Sequence, residues 1–138
     1  MAIWLIERYY WDFYSTIYEY ADIINTDNVF LSSPDVAVYE GIIKARLEFI
    51  DGTRLVVEIL LQVTVDYEIY EERYYYGYYS ADRRIFAYDN RPHHIHISTF
   101  PHHKHTGEVS DHDTAYPADI HPVNLATVLA KIREYVDK

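Results

Sequence analysis

From Ile3 the apolar residues recur as Ile3, Ile6, Tyr10, Phe13, Ile17, Tyr20 and Ile24, a three-four alternation that sets one side of a helix against a core. The spacing predicts a first helix that stops near Ile24, where Asn25-Thr26-Asp27-Asn28 and then Ser32-Ser33-Pro34-Asp35 bring turn residues. Over 36–50 the period drops to two: Ala37, Tyr39, Gly41, Ile43, Ala45, Leu47 and Phe49 share one face, with Glu40, Lys44, Arg46 and Glu48 on the other. Residues 53–65 repeat the pattern, with Leu55, Val57, Ile59, Leu61, Val63 and Val65 inward. A two-residue turn at Asp51-Gly52 would oppose apolar to polar positions along the whole ladder. A three-residue loop, Ile50-Asp51-Gly52 with Gly52 left-handed, instead pairs Leu47 with Leu55, Ala45 with Val57 and Ile43 with Ile59. The same register sets Glu48 opposite Arg54 and Lys44 opposite Glu58 on the solvent face.

After an acidic link at 67–72, the stretches Arg73–Tyr79 and Arg84–Tyr88 read as strands three and four, with a turn at 80–83. Residues 106–121 are polar, with Asp111, His112, Asp113 and Pro117, and read as a surface loop able to fold back as a lid. Leu125, Val128, Leu129, Ile132, Tyr135 and Val136 form a second amphipathic helix, with Pro122 before it and Asn124 as its cap. The expected fold is therefore α+β over 1–138 as a single domain: an N-terminal helix, a four-stranded antiparallel meander, a histidine-rich loop and a C-terminal helix.

Composition narrows the chemistry. With no cysteine, disulfides and thiolate metal sites are excluded, and only histidine, carboxylate and backbone oxygen remain as ligands. No apolar run is long enough to cross a bilayer, and the N-terminus lacks the basic, apolar, small-residue order of a signal peptide. No membrane association and a cytoplasmic location are the expectations. The formal charge is −10, which disfavours coating a nucleic acid through bulk electrostatics. That charge is uneven: Arg83, Arg84, Arg91 and Lys104 against Asp89 give 83–105 a formal +3, so the remainder carries −13. Sixteen tyrosines suit half-buried strands and interfaces alike.

The chain is organised around 89–105, DNRPHHIHISTFPHHKH, which holds six of the eight histidines in two related pentads, PHHIH and PHHKH. Imidazole titrates nearest neutral pH, so such a cluster can move protons or bind metal. In a metal-free acid–base reading, two of these side chains serve as base and acid across an RNA phosphodiester. The candidates are His102, His105, His94 and His93, with His102 and His105 foremost because Lys104 stands beside them. Arg91 and Lys104 would hold phosphate charge, Tyr88 would stack on a base, and Asp89 and Asn90 would orient the imidazoles from behind. The alternative uses His94, His96, His103 and His105, whose spacing in extended chain puts each pair on one face, to hold zinc or nickel. Adjacent histidines cannot both point inward, so one of each doublet faces away. A third reading is non-enzymatic: a partner-binding module with a tyrosine-rich sheet, open to dimer formation, whose histidine loop responds to pH.

The segments Tyr88-Asp89-Asn90-Arg91-Pro92-His93-His94 and Ser98-Thr99-Phe100-Pro101-His102-His103-Lys104-His105 resemble the signature DNxPHH…TFPHHKH of the TumE family of prokaryotic toxin–antitoxin proteins. Asp89, Asn90, Pro92, His93, His94, Phe100, Pro101, His102, His103, Lys104 and His105 carry the resemblance, and the order of elements is similar. His96 lies outside that signature. The resemblance implies a toxin neutralised by a co-encoded antitoxin; RNA as the target is read from the residues.

Overall fold

Residues 2–32, 35–37, 39–92, 94–107 and 115–136 are described by a computed structural model. Helix α1 (Ala2–Glu19) buries Ala2, Ile6, Phe13 and Ile17, the predicted stripe shifted so that Ile3 is exposed. It ends before Ile24, because the backbone at 23–25 is used by the sheet. Ile24 bridges Phe49, Asn25 N donates to Glu48 O, and Ile50 N donates to Ile23 O.

The sheet follows as β1 (Phe30–Leu31), β2 (Asp35–Val36), β3 (Glu40–Glu48), β4 (Arg54–Val63), β5 (Ile69–Tyr79), β6 (Arg84–Asp89), β7 (His103–Thr106) and β8 (Ala115–Pro117), and α2 (Leu125–Val136) closes the chain. The order is β1-β3-β4-β5-β6-β7-β8, with β2 also paired to β3. The predicted four-stranded meander is thus the centre, β3 to β6, of a sheet of eight strands. The added strands are two to four residues long, too short to display a period. The strand expected from 36 begins at Glu40, since Asp35–Val36 folds back on Ile42 and Gly41 and leaves Tyr39 exposed. Val65, expected inside, is exposed beyond the end of β4. The expected lid at 106–121 contributes β8, paired to β7; Asp111, His112 and Asp113 lie outside the described residues.

The β3–β4 register is the predicted one, with Leu47 opposite Leu55, Ala45 opposite Val57, Ile43 opposite Ile59, Lys44 opposite Glu58 and Glu48 opposite Arg54. Phe49 N closes the loop on Thr53 O, and Gly52 has φ +88°. Both helices cover the face carrying Ile43, Val57, Ile59, Tyr76, Tyr78, Phe86 and Tyr88, which join Ile6, Ile17, Val128 and Ile132 in one core. Asn124 caps α2 as expected, its Oδ1 accepting from Thr127 N at 3.0 Å.

β5 runs four residues further back than expected, through a bulge. Leu60 faces Arg73 and Leu61 faces Glu71, so Glu72 is the extra residue. Asn90 repairs the ladder there with its side chain, its Oδ1 accepting from Tyr74 N at 2.9 Å and its Nδ2 donating to Glu72 O at 3.0 Å. The neighbouring Glu71 points inward and accepts from the Tyr76 hydroxyl at 2.7 Å. Burial pushes its carboxyl up to about 7, against the opposing effect of hydrogen bonds from Tyr76 and Tyr9.

Two outcomes follow from this packing. A Cβ at Gly52 meets nothing within 4 Å, so Gly52→Val should lower stability through backbone strain alone, by about 1 kcal/mol or more, visible as a lower Tm. Glu71 is protonated more readily in the folded chain than in the unfolded one. Stability should therefore fall as pH rises from about 4.5 to about 7. Glu71→Gln keeps an acceptor for Tyr76 and removes the charge, so the variant should melt higher than the parent at pH 8 and alike at pH 4; equal melting at pH 8 would contradict a buried carboxyl.

Candidate active site

β6 and β7 pair antiparallel, with Asp89 opposite His103, Tyr88 opposite Lys104 and Ala87 opposite His105. Side chains alternate across a strand, so this register divides the second pentad between two faces. His103 and His105 join Asp89 on the face away from the helices, while Lys104 joins Tyr88 on the helix side.

On the first face Asp89 is the hub. Its Oδ1 lies 2.8 Å from His103 Nε2, and its Oδ2 lies 3.4 Å from His105 Nε2. His103 is 1% exposed and Asp89 6%. Pro101 O, which can only accept, takes a hydrogen bond from His103 Nδ1 at 3.0 Å. With a carbonyl on one nitrogen and a carboxylate on the other, His103 is suited to the imidazolium form. Burial alone would lower its pKa, yet the Asp89 bond, the Pro101 carbonyl and the Asp89 charge raise it above the ordinary value. Burial likewise opposes ionisation of Asp89, and hydrogen bonds from His103 and His105 overcome this and hold its carboxyl far below the usual range.

His94 completes the cluster from the loop above. Its φ of +62° is a left-handed conformation that few non-glycine residues adopt, histidine more readily than most. The loop is a run of turns, with Ile97 N donating to His94 O and Phe100 N to Ile97 O, and Ile97 is buried beneath it. The His94 ring lies 5.3 Å from that of His103 and 5.8 Å from that of His105. One nitrogen from each of His94, His103 and His105 falls within 4.8 Å of the others, close enough for the three imidazoles to hold a zinc or nickel ion after small movements. His96, the fourth candidate ligand, lies 6.0 Å from His94 between ring centroids but is exposed and outside that group. His93 lies outside the described residues.

The other sequence candidates stand elsewhere. His102 packs parallel to Tyr74, and its Nδ1 meets the Tyr74 hydroxyl at 2.7 Å. Burial and the nearby His121 and His103 lower its pKa. Lys104 pairs with Asp119 at 2.9 Å and lies over the rings of Phe86 and Tyr88. Tyr88 is fully buried and donates to Asp119, so it presents no face to a base. Arg91 is exposed, and its backbone N–H donates to Asp89 Oδ1 at 3.1 Å. Asp119, as the partner of Lys104, was not singled out in the sequence; no spacing signal links two residues fifteen apart in a loop. The hub role of Asp89 would have been legible had His103–Thr106 been read as a strand.

Replacing Asp89 by Asn should cost on the order of 3 kcal/mol, because it leaves a buried imidazolium without its counter-charge. The depressed Asp89 pKa contributes stability above about 4, lost as pH falls. The raised His103 pKa contributes below about 6.5, lost as pH rises through its folded value. The difference in Tm between parent and Asp89→Asn should thus be greatest near pH 5–6, and a difference that grows steadily to pH 9 would contradict the ion pair.

No helix among the described residues is long and apolar enough to cross a membrane. No curated protein and no solved structure matches the chain. A family profile described as Toxin TumE matches residues 15–138, nearly the whole chain.

Proposed function

Because the chain belongs to the TumE family of toxins, and so forms one half of a toxin–antitoxin pair, we propose that it acts by cleaving RNA through metal-free histidine acid–base chemistry at the Asp89 cluster. The observation that carries this reading is the approach of His94 to His105, rings 5.8 Å apart, beside His103, which pairs with the Asp89 carboxylate. Two imidazoles at that separation can flank one phosphodiester. One takes the proton of the ribose 2′-hydroxyl as its oxygen bonds to phosphorus. The other gives a proton to the 5′-oxygen as the P–O5′ bond breaks, leaving a 2′,3′-cyclic phosphate and a 5′-hydroxyl. Arg91, exposed beside Asp89, is the cation suited to the charge that builds on phosphate. His102, Lys104 and Tyr88 keep structural tasks on the other face in this reading, which moves the acid–base pair from His102 and His105 to His94 and His105.

Expression without the antitoxin, with growth and total RNA followed over time, tests it. Wild-type protein should arrest growth and fragment RNA, and His94→Ala or His105→Ala should reduce cleavage by roughly 10²–10⁴. His102→Gln, which keeps a partner for Tyr74, should remain toxic. Cleavage by the purified protein should persist in EDTA; a requirement for zinc or nickel would replace the metal-free chemistry with a metal centre at the same histidines. Growth arrest with intact RNA, or a His94/His105 double variant as toxic as the parent, would end the reading.

A further inference from the structure

The sheet face that carries His103 and His105 continues away from the cluster, and its composition there is unusual. Successive pairings align Lys44, Glu58, Tyr75, Asp89 and His103 in one row across five strands. Arg46, Val56, Gly77, Ala87 and His105 form the next. Among the described residues, α1 and α2 both pack on the opposite side. A groove of about 760 Å³ opens on it, lined by Ile42, Glu58, Leu60, Arg73, Tyr75 and Arg91 among others. Neighbouring strands lie about 4.8 Å apart, so Tyr75 is one strand from Asp89 and two from His103.

We propose that this groove holds an unpaired nucleotide of the RNA strand next to the bond that is cut, with its base against Tyr75 and its phosphates on Arg73 and Arg91; the proposal rests on the RNA reading above. Tyr75 is built for such a task. A Cβ at Gly77 would lie 2.6 Å from Tyr75 Cε1 and 2.7 Å from its hydroxyl oxygen, so only glycine there allows the ring to lie along its own strand. The Tyr79 hydroxyl, 2.7 Å from that of Tyr75, fixes the far end. The ring is half-buried, leaving surface for a base to stack on. Both arginines are exposed, and among the described residues neither is in an ion pair. The Arg73 guanidinium makes one long bond, 3.3 Å to Glu72 O. Asn90 positions both: it ties the Glu72 bulge, next to Arg73, to the end of β6, next to Arg91. Glu58 faces the groove from β4 and disfavours phosphate on that side, which turns the sugar–phosphate backbone toward the arginines. A duplex keeps its bases stacked inside and cannot offer one to Tyr75.

A fluorescein-labelled 2′-O-methyl RNA decamer has no 2′-hydroxyl to attack and cannot be cleaved, so its anisotropy reads binding alone. Wild-type protein should bind it, and bind the same sequence as a duplex more weakly. Tyr75→Ala and, separately, Arg73→Ala should each weaken binding about tenfold or more, with circular dichroism and melting checked for each. Gly77→Ala, which displaces the ring, should weaken it too. Tyr75→Phe should bind nearly as the parent does, and Arg8→Ala, an equal charge change on α1, should have no effect. Equal binding by wild type, Tyr75→Ala and Arg73→Ala would overturn the proposal. So would duplex bound as tightly as single strand, no binding by wild type, or groove variants that lose the antitoxin and keep RNA. Binding of the decamer by a protein that cleaves no RNA would remove the cleavage reading and leave the groove. Cleavage untouched by Tyr75→Ala and Arg73→Ala would remove the groove and leave the cleavage.

Discussion

An ionised carboxylate withdrawn almost wholly from water is stable only if positive charge and hydrogen-bond donors surround it. Asp89 meets that condition through His103 on one oxygen and His105 on the other, and the local architecture is what allows it. β6 must end where it does for Asp89 to face β7. β7 must pair in a register that brings residues 103 and 105 to the same side. Pro101 must offer its carbonyl to the far nitrogen of His103. A slip of one residue in the β6–β7 ladder would send both imidazoles to the helix side and leave the carboxylate buried without them.

The same alternation explains why a segment so rich in histidine is not one undivided cluster. Each face has its own chemistry. The helix side uses His102 against Tyr74 and Lys104 against Asp119, closing the edge of the core with satisfied polar groups. The open side gathers His94, His103 and His105 over Asp89. Proximity in sequence to a cation, which makes His102 and His105 look like partners around Lys104, counts for little in a strand, where adjacent side chains point in opposite directions. The chain belongs to a toxin family, and its histidine cluster lies on the sheet face opposite the helix-covered core.

The polar network at the β5 bulge connects fold to site. Asn90 substitutes for missing backbone partners, so the strand carrying Arg73 and Tyr75 stays registered with the strand carrying Asp89 despite the extra residue at Glu72. Without that repair the bulge would leave Tyr74 N unpaired in a buried position, at a cost of the order of 1–3 kcal/mol. A side chain that completes a ladder thus also sets the spacing between groove and histidines.

What the residue pattern determined by itself was local and periodic. The alternation over 43–63 with a left-handed Gly52 admitted a single register that buried both apolar faces, and that register is present. The amphipathic stripes of both helices and the Asn124 cap were legible for the same reason. The concentration of six histidines in 89–105 was legible as well. Only the tertiary structure decided the rest. Strands of two to four residues carry no measurable period, so β1, β2, β7 and β8 exist because neighbouring edges offered them partners. The division of the histidines between two faces followed from the pairing of β7 with β6. Likewise the left-handed turn at His94 and the pairing of Lys104 with Asp119 join residues whose relation is set by three-dimensional contact, which no spacing along the chain encodes.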